Sequence, residues 1–85
     1  MTRIQYKPLD KAPNILASQQ FIVSKNTILQ ALINQNDFTY RIIDHNLSVI
    51  IIGQASSIKQ AKINCRARLK ELGVKVYDEI RSVRS

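Results

Sequence analysis

Leu47-Ser-Val-Ile-Ile-Ile-Gly53, continued by Gln54-Ala-Ser-Ser-Ile-Lys-Gln-Ala-Lys-Ile-Asn-Cys-Arg-Ala-Arg-Leu-Lys-Glu-Leu-Gly73, organises the chain. Val49, Ile50, Ile51 and Ile52 are consecutive β-branched residues, the pattern of a central strand covered on both faces. Gly53 breaks that run. Ser57-Ile-Lys-Gln60 fits a capping box, in which the Ser57 hydroxyl accepts from an amide three residues on and Gln60 reaches back. Gly73 fits a left-handed helix stop. The spacing predicts a helix between them.

That helix sorts its faces. Ile58, Ala61, Cys65, Leu69 and Leu72 recur at steps of three and four and form an apolar stripe. Lys59, Lys62, Arg66 and Lys70 repeat those steps one position on, as a cationic stripe beside it. Glu71 is the only acid in the helix, whereas a solvated helix usually interleaves signs. The stripe reads either as a solubilising basic face or as an edge that faces phosphates.

Outward from this stretch, Phe38-Thr-Tyr-Arg-Ile-Ile43 has strand-like content, with a continued helix as the other reading. Gln20-Phe-Ile-Val-Ser24 reads as a strand. Asn26-Thr-Ile-Leu-Gln-Ala-Leu-Ile-Asn34 reads as a helix with Ile28, Leu29, Leu32 and Ile33 on its apolar face. Lys25 then stands at a strand-to-helix junction, where free helix amides and a cation together favour a phosphate. Residues 1–19 read as a basic irregular arm, since Pro8 and Pro13 exclude a helix interior, with Arg3 to Lys7 as an edge-strand candidate. Residues 20–85 read as a single domain. Val74 to Val83 alternates like a half-exposed strand, and Arg81 and Arg84 add charge at the end of the sequence. The expected fold is α+β: a small two-layer sandwich in the order β-α-(β)-β-α-β, two helices on one face of a mixed sheet, ferredoxin-like if residues 38–43 form a strand.

Thirteen Lys and Arg against six Asp and Glu give the 85 residues a net charge of +7. Such a balance favours a polyanionic partner, RNA, DNA or an anionic membrane surface, and equally suits a basic subunit docked on an acidic protein. No apolar run reaches the ~18–20 residues of a transmembrane helix. The single cysteine, on the core stripe, reads as a small buried hydrophobe of an intracellular protein, cytoplasmic, nucleoid or nuclear. His45, the only histidine, reads as a turn residue. No spacing suggests a catalytic pair, a metal site or a cofactor loop, so an enzyme is not expected.

Phe21-Ile-Val-Ser-Lys25, Val49-Ile-Ile-Ile-Gly-Gln-Ala55 and Val74-Lys-Val-Tyr-Asp-Glu-Ile-Arg81 resemble the Alba superfamily over about residues 20–83. The resemblance implies a small basic nucleic-acid-binding protein, as in archaeal chromatin proteins and small protein subunits of ribonuclease P. A fainter likeness covers 49–72. There Ser57-Ile-Lys-Gln-Ala-Lys62 is similar to the start of the last helix in double-stranded-RNA-binding domains. Those domains place three strands before that helix, and the spacing here leaves no clear room for them.

The expected function is binding of the nucleic-acid phosphate backbone without base readout, by Lys25, Lys59, Lys62, Arg66, Lys70, Arg81 and Arg84. The rival is a non-catalytic interaction module or basic subunit of a larger complex, with Phe38, Tyr40 and Ile63 as its exposed apolar set. Ile50 and Ile52 are expected on an open sheet face. A homodimer, or the N-terminal arm folded across the sheet, would cover them.

Overall fold

The computed structural model describes residues 3–75. The strand expected over Val74 to Val83, together with Arg81 and Arg84, lies outside the described residues apart from its first two positions. Six strands and one helix follow in order: β1 (Tyr6–Pro8), β2 (Ile15–Ser18), β3 (Phe21–Ser24), β4 (Thr27–Asn34), β5 (Thr39–Asp44), β6 (Val49–Gln54) and α1 (Ile58–Glu71). The sheet is antiparallel throughout and runs β1-β2-β4-β5-β6, with β3 also paired to β4. The expected pair of helices on a mixed sheet is therefore corrected to one helix on an antiparallel sheet.

The correction turns on residues 27–34. Ile28, Leu29, Leu32 and Ile33 suit a helical face, but they suit an alternating strand equally well. In β4, Leu29, Ala31 and Ile33 point to one side and are buried, while Ile28, Gln30, Leu32 and Asn34 are half-covered on the other. Local period alone does not separate these readings. The flanking strands do. β2 takes the second half of β4 (Ile15↔Asn34, Ala17↔Leu32) and β3 the first half (Phe21↔Leu29, Ser24↔Thr27), while β5 takes the opposite edge. Main-chain pairing on both edges holds β4 in the sheet.

Between Ala17↔Leu32 and Phe21↔Leu29 the register slips by one residue, and β2 and β3 behave as a single strand bent at Gln19-Gln20. Ser18 mends the gap. Its Oγ accepts from the buried Ala31 amide at 2.9 Å, and its carbonyl accepts from Gln30 Nε2 at 2.7 Å. Ser18 is the buried polar residue at the centre of this side of the sheet. β1 adds to β2 through Tyr6↔Ser18 and Pro8↔Leu16, so two short strands lie within residues 1–19.

Two tight turns join β4 to β5 and β5 to β6. Each places a bulky residue in the left-handed region, Phe38 at φ 62° and Leu47 at φ 65°. Asx-type hydrogen bonds hold both turns: Asp37 Oδ1 accepts from the Thr39 amide at 3.0 Å, and Asp44 Oδ1 accepts from the Asn46 and Ser48 amides at 2.9 Å. Gly53, expected to break the strand, lies inside β6 directly opposite Tyr40. A Cβ at Gly53 would run into the Tyr40 ring, so the glycine gives that ring its resting place.

The core lies between the sheet and α1. Ala61, Cys65 and Leu69 are fully buried and share one cluster with Phe21, Leu29, Ala31, Ile33, Ile42 and Val74. Among the described residues β6 pairs on one side only, with β5, whereas its four β-branched residues suggest a central position. Ile51 turns toward the helix side, opposite Ile42. A register shift between Ile42 and Ile43 sends Val49 to the open side, opposite Ile43.

Two stability changes follow. Ser18→Ala leaves the Ala31 amide buried without an acceptor and is expected to lower the unfolding free energy by about 1–3 kcal/mol in chemical denaturation. Leu47→Gly relieves a left-handed leucine whose side chain is 77% exposed, so a rise in melting temperature is expected, worth about 1 kcal/mol.

Candidate nucleic-acid interface

The helix that carries the cations is terminated at both ends by the residues the sequence marks. Ser57 Oγ accepts from the Gln60 amide at 3.1 Å. The reciprocal half of the capping box is absent: the Gln60 side chain turns forward and donates to Asn64 Oδ1 at 3.1 Å. At the far end, Gly73 (φ 102°) donates to the Lys70 carbonyl at 3.1 Å and Val74 to the Leu69 carbonyl at 2.9 Å. These two bonds make a Schellman stop, and Val74 and Leu69 close it with a buried apolar contact.

With Ala61, Cys65 and Leu69 facing inward, the cationic stripe faces out. Lys59, Lys62 and Lys70 are exposed and Arg66 is half-buried. From Lys59 to Lys70 the stripe extends about 16 Å along the axis, at 1.5 Å per residue. Its inner flank meets β1. Lys62 Nζ stands 5.3 Å from the centroid of the Tyr6 ring, a cation–π arrangement. The Tyr6 hydroxyl is buried and makes no full hydrogen bond. Burial, with the Cys65 thiol beside it, pushes the Tyr6 pKa far up, and the Arg66 charge opposes this only in part. Burial likewise pushes the Cys65 thiol up to about 12.

Among the described residues, the acids are engaged elsewhere. Glu71, on the other flank, pairs with Arg68 (Nη1–Oε1 2.8 Å), a half-exposed i,i+3 bridge. Asp37 and Asp44 are bound into the two strand-connecting turns. The Thr39 amide, and its hydroxyl after it, hold the Asp37 carboxyl below the usual range. Asp10 lies in the β1–β2 connection.

Lys25 occupies a different setting from the one expected. It lies with Asn26 in the hairpin turn between β3 and β4, so no helix N-terminus accompanies it. Its position still relates to α1: the neighbouring Val23 side chain comes within 3.3 Å of where a Gly73 Cβ would stand. Lys25 thus lies at the same end of the molecule as Lys70 and Lys75. Of the apolar set expected to be exposed, Phe38 and Tyr40 are half-buried and Ile63 is exposed. Leu47, Val49, Ile50 and Ile52, at β6 and the turn before it, are exposed as a group, while Ile22 on β3 is exposed singly. Arg41 lies opposite Ile52 on the open side of the sheet, a cation outside the predicted set.

Among the described residues no three of His, Cys, Asp and Glu come together in a metal-binding group, and no helix is long and apolar enough to cross a membrane. No protein-family model, curated protein or solved structure matches the chain. The Alba likeness accordingly stays a resemblance of short motifs, and the element order it drew on, with a helix at 26–34, is replaced by β4. The ground for setting aside the double-stranded-RNA-binding likeness also changes, because three antiparallel strands, β4, β5 and β6, run directly into α1.

Cys65 is expected to resist thiol reagents under native conditions and to react at the rate of unfolding. A thiol whose folded pKa is raised stabilises the fold fully below its unfolded pKa. Stability is therefore expected to fall as pH rises from about 9 toward about 12, and Cys65→Ala should remove that part of the slope in denaturant titrations.

Proposed function

We propose that this chain is a small, non-catalytic nucleic-acid-binding protein that lays the phosphate backbone of RNA or DNA along the outer face of α1. Lys59, Lys62, Arg66 and Lys70 make the contacts, Lys25 extends them at the helix's C-terminal end, and Arg81 and Arg84 belong to the same basic set. The observation that carries this reading is charge segregation. One helix face holds four cations over about 16 Å, while the only acid of the helix is engaged by Arg68 on another flank. Successive phosphates of one strand of a duplex advance about 3.4 Å along the axis, so the stripe is long enough to meet about five of them.

Such contacts position a backbone and read no bases. The stripe carries no aromatic residue for stacking and no Asn or Gln for a base edge. Binding is therefore governed by charge and shape. The buried single cysteine suits an intracellular setting.

Fluorescence anisotropy with mixed-sequence duplex RNA and duplex DNA, over a series of salt concentrations, tests the proposal. Four neutralised phosphates predict a slope of log affinity against log salt of about −3.6 on duplex DNA, and Lys59→Gln with Lys70→Gln should make it shallower by about 1.8. Absence of binding to both duplexes at about 50 mM salt, or affinity indifferent to salt, rejects the reading in favour of protein contacts.

A further inference from the structure

We infer that the outer edge of β6 pairs with β6 of a second copy, making a two-fold dimer with one continuous antiparallel sheet. Among the described residues, β6 pairs on one side only, with β5. The Ala55 amide donates to the Phe38 carbonyl at 3.1 Å, which sets the phase of the ladder. The main-chain groups of Ile51 and Gly53 accordingly turn toward β5, and those of Ile52 and Gln54 turn outward.

The two ends of the sheet differ in how they are protected. β1 is three residues long, contains Pro8 and carries Lys7. Short length, proline and lysine are the usual means of blunting an edge. β6 is six residues long, Val-Ile-Ile-Ile-Gly-Gln, with no charge and no proline. Its side chains and the turn before it are apolar and open: Leu47 is 77% exposed, Ile52 60%, Val49 53% and Ile50 43%. Lys75, where the described residues end, lies beside β3, across β4 from this edge.

Charge selects the second copy as occupant. A chain of net charge +7 repels its twin over most of its surface. From Ile42 to Ile58 there is no Lys or Arg and the one formal charge is Asp44, bound into the turn before β6, so β6 lies inside a window without cations. An acidic strand from another protein would gain more at the helix face than here. An antiparallel strand is also complementary to itself about a two-fold axis. Because that axis stands perpendicular to the sheet, both copies of α1 lie on the same side. Each copy uses its β6 and presents only the short strands β1 and β3, of three and four residues, at the far end of the sheet, so assembly stops at two. The dimer does not depend on the nucleic-acid reading, and its test needs no ligand.

Light scattering across a wide concentration series should show the mass rising from 9.7 kDa to about twice that value and no further. Ile52→Glu places a carboxylate opposite the chain's own Arg41 but puts a charge on the apolar edge that the dimer would bury. Ile52→Pro removes an outward amide while sparing the β5 ladder. Both variants should stay monomeric with an unchanged far-ultraviolet circular dichroism spectrum. Hydrogen exchange of the unmodified protein gives an independent readout, with the Ile52 and Gln54 amides becoming protected as concentration rises. A monomer at every concentration, growth beyond two copies, dimers that persist in both folded variants, or unprotected Ile52 and Gln54 amides in a dimer would each overturn the inference.

Discussion

The seating of α1 on β4 and β5 is the contact on which the other features depend. Ala61 and Cys65 are small, and they meet Ala31, Ile33 and Ile42 with no exposed surface left on any of them. Small side chains on both partners let the helix lie close to the sheet. A larger residue at Ala31 or Ala61 would have to push the layers apart or distort rotamers. Once the apolar stripe is buried, the stripe one residue further on is turned by about 100°, onto the flank of α1 beside Tyr6, where its lysines reach solvent. The basic face of α1 is thus a consequence of packing as much as of charge.

The same seating decides what stays uncovered. α1 packs chiefly over β4 and β5, so β6 lies at the margin of its footprint. Ile51 still reaches the core side, but Val49, Ile50 and Ile52 do not. A single helix covers one face of an antiparallel sheet and leaves the other to water or to a partner. On that other face Ala17 and Ile43 are nevertheless buried, sheltered by their neighbours within the sheet. Apart from Leu9, Ile22 and Ile63, the remaining apolar exposure among the described residues lies along β6 and the turn before it.

The elements legible in the sequence are those specified by close neighbours. α1 is announced by Ser57, by a five-residue apolar stripe and by Gly73, all within one short stretch, and each takes the expected place. β5 is recognisable from Thr39, Tyr40, Ile42 and Ile43. β4 is not, because its apolar residues satisfy two periods and the decision belongs to partners distant in sequence, such as Ile15 opposite Asn34. Ser18 is invisible for the same reason: its role exists only where β2 and β3 change register against β4. The N-terminal arm was expected to cross the sheet or stay irregular, yet Tyr6 and Leu16 pack beside the core from within strands. Among the site residues, the four helix cations were legible as a stripe, while Lys25 is in a hairpin and Arg68 is bound to Glu71. The two likenesses that rested on element order fare differently from the stripe, since order changes when one segment switches from helix to strand and a helical stripe does not.

Backbone amide shifts recorded while a short RNA duplex is titrated into the protein would locate the contact surface directly. If the outward face of α1 holds the phosphates, shifts should concentrate at Lys59, Lys62, Arg66 and Lys70, with Lys25 responding at the same end, and should fade as salt is raised. Shifts centred instead on the open face of the sheet, around Arg41, Ile43 and Ile52, would contradict it.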